Sequence, residues 1–458
     1  MPPQRRLDVV LDSVKRLQRI GASANLLNLL QKQRPADLAD VFNQLPDGDC
    51  RGLLDLLLDH NSRLAMEALV EYGAEPGAGL LEDYPAERIA LWLNELPSDD
   101  AAALIGELPD NLSETVLERM RPQESGEVEN LLEYAEQTAG RIMNPTVFAL
   151  AEGLTAGEAI QALQGSPREV EMVFYLYVVD ERRHLVGVVS LRRLLLVAPE
   201  TPLQRIMTTD LIAARADTDQ EEVAQQVANY NLLAIPVVDE FNKLVGIITV
   251  DDVIDIIKDE ATEDIYRLAG VSGDEHVFTS VRESARKRLP WLAMNLVTAT
   301  LAAFVVRAFQ GTIDQVVVLA VLMTIVASMG GNAATQTLTV IVRGIALDEL
   351  TWGNSRKAVF KEALVALGNG LVLGMAGAGV AWLLSGNIVL GLILALAMVI
   401  NLLVAAVAAT LIPIGLRAIK VDPALASAVF ITTLTDVFGF FAFLGLATLF
   451  LEHLSRSA

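Results

Sequence analysis

The sequence predicts a multidomain membrane protein: an α-helical solenoid domain, a tandem α/β repeat and an acidic connecting helix, followed by a five-helix transmembrane domain. Three observations predict it. Apolar runs of membrane length crowd into the chain after residue 285. Charge divides at the same place: residues 286–458 hold 11 of the 35 Lys and Arg and 7 of the 57 Asp and Glu, so residues 1–285 hold 24 and 50, a balance of −26 in a chain of net charge −22. In the acidic half, a strand-turn-strand pattern recurs at an offset of 59 residues.

A chain of 458 residues has room for about three domains. Its one cysteine, Cys50, excludes a disulfide framework and any multi-cysteine metal site. The acidic balance argues against nucleic acid, whose phosphates need Lys and Arg. The opening MPPQRRLDVV has no apolar run behind its arginines and does not read as a signal peptide.

Residues 1–137 read as helices throughout. Leu45-Pro46-Asp47, Leu96-Pro97-Ser98 and Leu108-Pro109-Asp110 repeat a break between short helices, as in a stacked helical array. Asp99 and Asp100 are candidate cation ligands, but they read better as the acidic first turn of the next helix.

Residues 138–258 hold the repeat, in copies 138–200 and 201–258. Val178-Val179-Asp180-Glu181 running to Ser190 matches Val237-Val238-Asp239-Glu240 running to Thr249. Upstream, Arg141-Ile142-Met143 matches Arg205-Ile206-Met207. Each copy reads as strand, turn, strand and helix. The segment resembles a tandem pair of CBS (cystathionine β-synthase) modules, which commonly sense adenine nucleotides. In that resemblance Ser/Thr-x-x-Asp after the second strand holds the ribose. Thr249 and Asp252 fit; Ser190 is followed by Arg193 where the acid belongs. At most one complete nucleotide site is implied, and a purely structural pair is the competing reading.

From 251 to 264, seven of 14 residues are acidic and Lys258 is the single base. On a helix, Asp252, Asp255, Asp259 and Glu263 share one face, with Glu260 and Asp264 beside it. Like charges one turn apart destabilise a helix by roughly 0.2–0.5 kcal/mol per pair. A hard cation such as Mg2+ would relieve that repulsion through oxygen ligands; a solvated charged face is the alternative. Residues 259–289 form the connector to the membrane.

Residues 290–458 contain five apolar runs, 290–309, 316–342, 359–384, 388–416 and 424–451, each about the 20 residues or more that a membrane helix needs. Arg286, Lys287, Arg288, Arg343, Arg356, Lys357, Lys361, Arg417 and Lys420 gather on one side. The N-terminal half is therefore expected in the cytoplasm and the C-terminus outside. Met329-Gly330-Gly331-Asn332, with Thr335 and Gln336, predicts a weakened helix and freed backbone in the second span. Gly370 and Gly374 predict a close helix contact in the third. Asn295, Asn369 and Asn401 read as interhelical hydrogen-bonding groups. Asp436 lies deep in the fifth span, where a carboxylate costs about 2.5–3.5 kcal/mol on insertion scales. Ala428, Thr432, Thr435 and Gly439 make its helical face small and polar. A pore-lining carboxylate is the stronger reading; a protonated Asp bonded to a neighbouring helix is the weaker one.

Together these segments resemble the MgtE family of magnesium channels. The marks are Pro290-Trp291-Leu292 with Asn295, MGGNAATQT at 329–337, Ala261-Thr262-Glu263-Asp264-Ile265, and DPALAS at 422–427 followed by Thr432-Thr433-Leu434-Thr435-Asp436. The resemblance implies a homodimer with a pore between two copies of the fifth span. Two Asp436 carboxylates would face the ion, with Asn332, Thr432 and Thr435 as pore and gating support. It also implies feedback: cytosolic Mg2+ on Asp252, Asp255, Asp259, Glu260, Glu263 and Asp264 draws the acidic surfaces together and shuts the pore, and ATP at Thr249 and Asp252 tunes the response. Gln310, Thr324, Ala334 and Val429 depart from the family's Glu, Pro, Gly and Pro, and no function is carried to them.

The expected function is Mg2+ import down its electrochemical gradient by a multi-pass protein of the cell (inner) membrane, with lipid around it. There is no GxxxxGK[ST] loop and no Ser-His or metal-hydrolase constellation among the four His, so no enzyme is read here. Two alternatives stand beside it. One is transport of Mn2+ or Co2+, which carboxylates alone do not separate from Mg2+. The other is an anchored nucleotide or ion sensor that moves nothing, against which Asn332 and Asp436 argue.

Overall fold

Proline-punctuated apolar stripes give short helices, and Pro3–Leu132 folds as ten of them in the computed structural model. The structure describes residues 3–165, 174–271, 275, 280–347, 349–419, 421–423 and 428–455. Its contacts divide the chain into two units, Met1–Ile257 and Lys258–Ala458. In the first unit, Pro46, Pro97 and Pro109 occupy the N-cap positions of helices Asp47–Leu58, Ser98–Gly106 and Asp110–Arg119. Proline's fixed φ and missing N–H cost nothing there, because a helix start leaves its first N–H groups unpaired. Asp99 and Asp100 stand in the first turn of their helix, as read. The inward stripes meet in a continuous core that includes Leu38, Leu53, Leu69, Leu93 and Leu104, all fully buried.

The repeat folds as two three-stranded sheets of the same order. β1 (Ala149–Ala151) runs parallel to β2 (Tyr175–Val179), which pairs antiparallel with β3 (Leu185–Ser190). β4 (Ala214–Arg215), β5 (Ala234–Val238) and β6 (Leu244–Thr249) repeat the arrangement. The register repeats too, Val178 opposite Gly187 and Val237 opposite Gly246. Both hairpins turn on an Asp that accepts two backbone N–H bonds: Asp180 from Arg182 and His184, Asp239 from Phe241 and Lys243. Arg183 and Asn242 take the left-handed conformation that each turn requires.

The leading segments exchange. Asn144 bridges to Ile247 in the second sheet and Thr208 to Val188 in the first. A Cβ at Gly246 would stand 2.5 Å from Met143 Sδ, and one at Gly187 would stand 2.6 Å from Met207 Sδ. Glycine is required at both positions because a methionine from the other copy fills the space.

The acidic run is helical, as expected, within Val250–Leu268. Val253 and Ile256 join the core of the first unit.

The second unit holds five helices long and apolar enough to cross a membrane. Spans 1 to 5 lie in helices Val281–Ala308, Val318–Ala346, Ser355–Ser385, Ile388–Ala418 and Ala428–Leu449. The first begins earlier than the apolar run, because the charged residues before Pro290 continue the helix, with Pro290 inside it. A separate short helix, Gln310–Gln315, precedes span 2. Span 4 buries the most surface and packs on spans 2, 3 and 5. Gly370 and Gly374 make the predicted close contact: a Cβ at either would come within 3.0 Å of span 4 backbone at Val399 or Ala395.

One expectation fails here. Span 2 does not loosen at Gly330-Gly331; the helix is unbroken from Val318 to Ala346. The glycines serve close packing instead, Gly330 against Asn401 of span 4 and Gly331 facing Thr432 of span 5.

Candidate ion pathway and its acidic connector

Span 5 carries the deepest acid. Asp436 stands eight residues into the described helix, about 12 Å from its start at 1.5 Å per residue. Residues 424–427, part of the expected start of this span, lie outside the described residues. The Asp436 side chain is half-buried and has no hydrogen-bond or ion-pair partner among the described residues. Its neighbours satisfy themselves within the helix. Thr432 Oγ1 donates to Val429 O at 3.2 Å, and the fully buried Thr435 donates to Thr432 O at 2.8 Å.

Span 2 adds a polar face. Asn332, Thr335, Gln336 and Thr339 recur at three- and four-residue spacing and are exposed in the single chain. A methyl placed on Gly331 would stand 3.5 Å from Thr432 Cγ2, so this stretch of span 2 borders the turn that precedes Asp436.

At the end of the acidic helix, Arg267 pairs with Glu263, one turn before it, and with Asp422, which precedes span 5. Leu268 packs on a cluster containing Ala334, Leu338 and Ile431 of spans 2 and 5. Glu263, a predicted cation ligand, thus shares its arginine with the approach to span 5. The other predicted ligands are spread along the helix. Asp255 and Asp259 are exposed and Glu260 is half-buried. Burial pushes the Asp264 carboxyl above the usual range, and the nearby Glu260 charge adds to it. Among the described residues no three His, Cys, Asp or Glu side chains converge as a metal cage.

Thr249 is buried at the end of β6, and its hydroxyl donates to Asp252 Oδ2 at 2.5 Å. Burial raises the Asp252 carboxyl, opposed by that bond. In the first copy Ser190 caps its helix at the Arg193 N–H and has no acid to pair with. A cleft of about 180 Å3 opens among Tyr175, Tyr177, Thr208, Asp210 and Ala234. The Tyr177 hydroxyl beside it is buried without a partner among the described residues.

Three features escaped the sequence reading. Glu362 is buried inside span 3; its signal was an acid within the helical run, hidden by the flanking Lys361. The Arg267–Asp422 pair joins residues 155 apart. Asn401 touches two glycines of different spans.

Five membrane-length helices joined to a helical domain and a CBS-type repeat are the architecture of a multi-pass membrane protein. Family models match along the chain: MgtE, a divalent cation transporter, over 323–446; the MgtE intracellular N domain over 33–137; and CBS domains over 139–200 and 203–259. The magnesium transporter MgtE of Bacillus subtilis is 38% identical over 74% of this chain and 75% of its own length. That of Thermus thermophilus is 36% identical over 72% and 74%. Among solved structures, the cytosolic domain of the Mg2+ channel MgtE in complex with ATP is 35% identical with a TM-score of 0.50, covering 54% of this chain and 99% of that one. The chain belongs to the MgtE family. These relatives, matched over about three-quarters of the chain, are named transporters and not enzymes, in agreement with the sequence reading.

Proposed function

We propose that the chain forms a homodimeric Mg2+ channel of the cell (inner) membrane, importing Mg2+ down its electrochemical gradient, with Asp436 as the pore carboxylate. The observation that carries this reading is Asp436 itself, a carboxylate within an apolar span with no partner among the described residues. Such a charge is costly in a bilayer. A divalent cation offsets the cost, and a dimer axis beside span 5 brings two carboxylates to one ion. Mg2+ gives up its waters reluctantly and takes few direct ligands. Asp436, Asn332 and Thr432 would therefore contact a hydrated ion rather than cage a bare one. The relatives named magnesium transporters support Mg2+ over Mn2+ or Co2+.

In this reading residues 1–137, 138–258 and 259–289 lie in the cytoplasm, gate residues 290–458, and leave the C-terminus outside. Cytosolic Mg2+ on Asp252, Asp255, Asp259, Glu260, Glu263 and Asp264 draws acidic surfaces together. A cation at Glu263 competes with Arg267 and so alters its hold on Asp422, ahead of the pore helix. ATP is the regulatory nucleotide. Thr249 and Asp252 offer the hydroxyl and carboxylate that suit a ribose diol, and the unpartnered Tyr177 hydroxyl lies beside a cleft between the copies. Bound ATP would supply phosphate oxygens as further hard ligands for Mg2+.

Ion flux into liposomes holding the purified protein tests the reading, with Mg2+, Mn2+ and Co2+ compared. The expected order places Mg2+ first. Flux of Mn2+ or Co2+ alone would reassign the cargo, and no flux of any ion would leave the anchored sensor.

A further inference from the structure

Asn401 lies midway along span 4, fully buried. Its Nδ2 donates to Val326 O of span 2 at 3.0 Å. Val326 O is also positioned to accept the helical N–H of Gly330, and a carbonyl has lone pairs for both. The Oδ1 atom has no hydrogen-bond partner among the described residues. Two glycines face the carboxamide. A Cβ added at Gly330 of span 2, or at Gly439 of span 5, would stand 2.9 Å from Asn401 Cγ. No side chain at either glycine fits without moving the amide. Gly439 is three residues past Asp436, so one helical turn separates this contact from the unpartnered carboxylate.

A buried amide oxygen left unbonded is unfavourable, and an apolar side chain of similar size would avoid it. The amide serves neither bulk packing nor simple glue, because a hydrogen bond to span 2 alone would not need a glycine on span 5. Its flat face is thin enough to lie between two helices stripped to their backbones, and its donor fixes it to one of them. Building on the Asp436 pore reading, we propose that Asn401 is a positioning residue: it sets the distance of span 5 from span 2, and through Gly439 the placement of Asp436 in the ion path.

The test is a reciprocal size exchange in full-length protein in liposomes, reading Mg2+ flux against Mg2+ concentration. Asn401→Ala leaves a gap and Gly439→Ala collides with the amide. Each single variant is expected to raise the half-saturating Mg2+ concentration about tenfold and to stay a folded dimer in thermal and sizing assays. In Gly439→Ala/Asn401→Ala the added methyl meets the vacated space, and the half-saturating concentration should return to within about threefold of the parent. Should Gly439→Ala not fold, Gly330→Ala meets the same carboxamide and the cycle runs there. Unshifted half-saturation in folded single variants, or a double variant whose shift is the product of the two, overturns the proposal. Asp436→Asn separates it from the reading it rests on. Parent-like flux in that variant removes the pore assignment, whereas an uncoupled cycle with Asp436→Asn inactive removes only the role of Asn401.

Discussion

Glu362 and Asp436 both lie within apolar spans, and their surroundings are opposite. Glu362, about two turns into span 3, is buried. Lys361 Nζ donates to it at 2.5 Å and Thr337 of span 2 at 3.4 Å. A cavity of about 210 Å3 beside it is lined by Gln336, Thr337 and Asn369, so the site is polar but its charge is balanced from within. Asp436 on span 5 has no such partner among the described residues. The proposed pore role of Asp436 rests on this lack of a resident counter-charge, not on its place in an apolar helix alone. Glu362 ties span 3 to span 2 through Thr337, while in the proposed reading Asp436 waits for a cation.

The sharpest way to break this contrast is to remove each charge. Asp436→Asn should reduce Mg2+ flux in liposomes about 100-fold or more, the equivalent of some 3 kcal/mol of lost charge compensation. A variant conducting like the parent would erase the distinction. Outside the membrane the contrast extends to the acidic helix. Neutralising Asp259, Glu260 and Glu263 together should leave flux about tenfold above the parent at millimolar cytosolic-side Mg2+, within the usual allosteric coupling range. Protease protection of the soluble unit should then no longer respond to Mg2+; normal closure with unchanged cleavage would remove the sensor. Asp252→Ala tests a partnered carboxylate, since Thr249 already holds it. ATP affinity, measured by calorimetry on the full chain, should fall about tenfold, the scale of one charged hydrogen bond. The smallest effect belongs to Glu362→Gln. The amide keeps an acceptor for Thr337, and the exposed Lys361 can turn to water. Flux should stay within about threefold of the parent. A loss as deep as that of Asp436→Asn would place both acids on the ion path.

Much of this was legible in the chain. The five spans announce themselves by length and apolarity, and the two hairpins by an Asp-initiated turn between β-rich runs. Asp436 stood out by its depth in the fifth apolar run and by the small, polar face of Ala428, Thr432, Thr435 and Gly439. Glu362 did not, because its neighbour Lys361 reads as a flanking charge. Span 2 was misread at Gly330-Gly331, since propensity registers the missing side chains but not the helices that approach because they are missing. The Arg267–Asp422 pair and the Asn401 contacts join residues far apart in sequence, and periodicity carries no information about which helix faces which. The helix that holds span 1 starts at Val281, ahead of the apolar run, since Arg and Lys continue a helix well.

The methionine exchange in the repeat has a consequence for how such chains can be recombined. Each copy keeps a vacancy at Gly187 or Gly246, and the residue that fills it is encoded in the other copy, Met207 or Met143. A crossover that imports one copy from a relative would pair an unfamiliar key with a resident lock. A chimera is therefore expected to keep its native melting behaviour only when both copies travel as a single cassette.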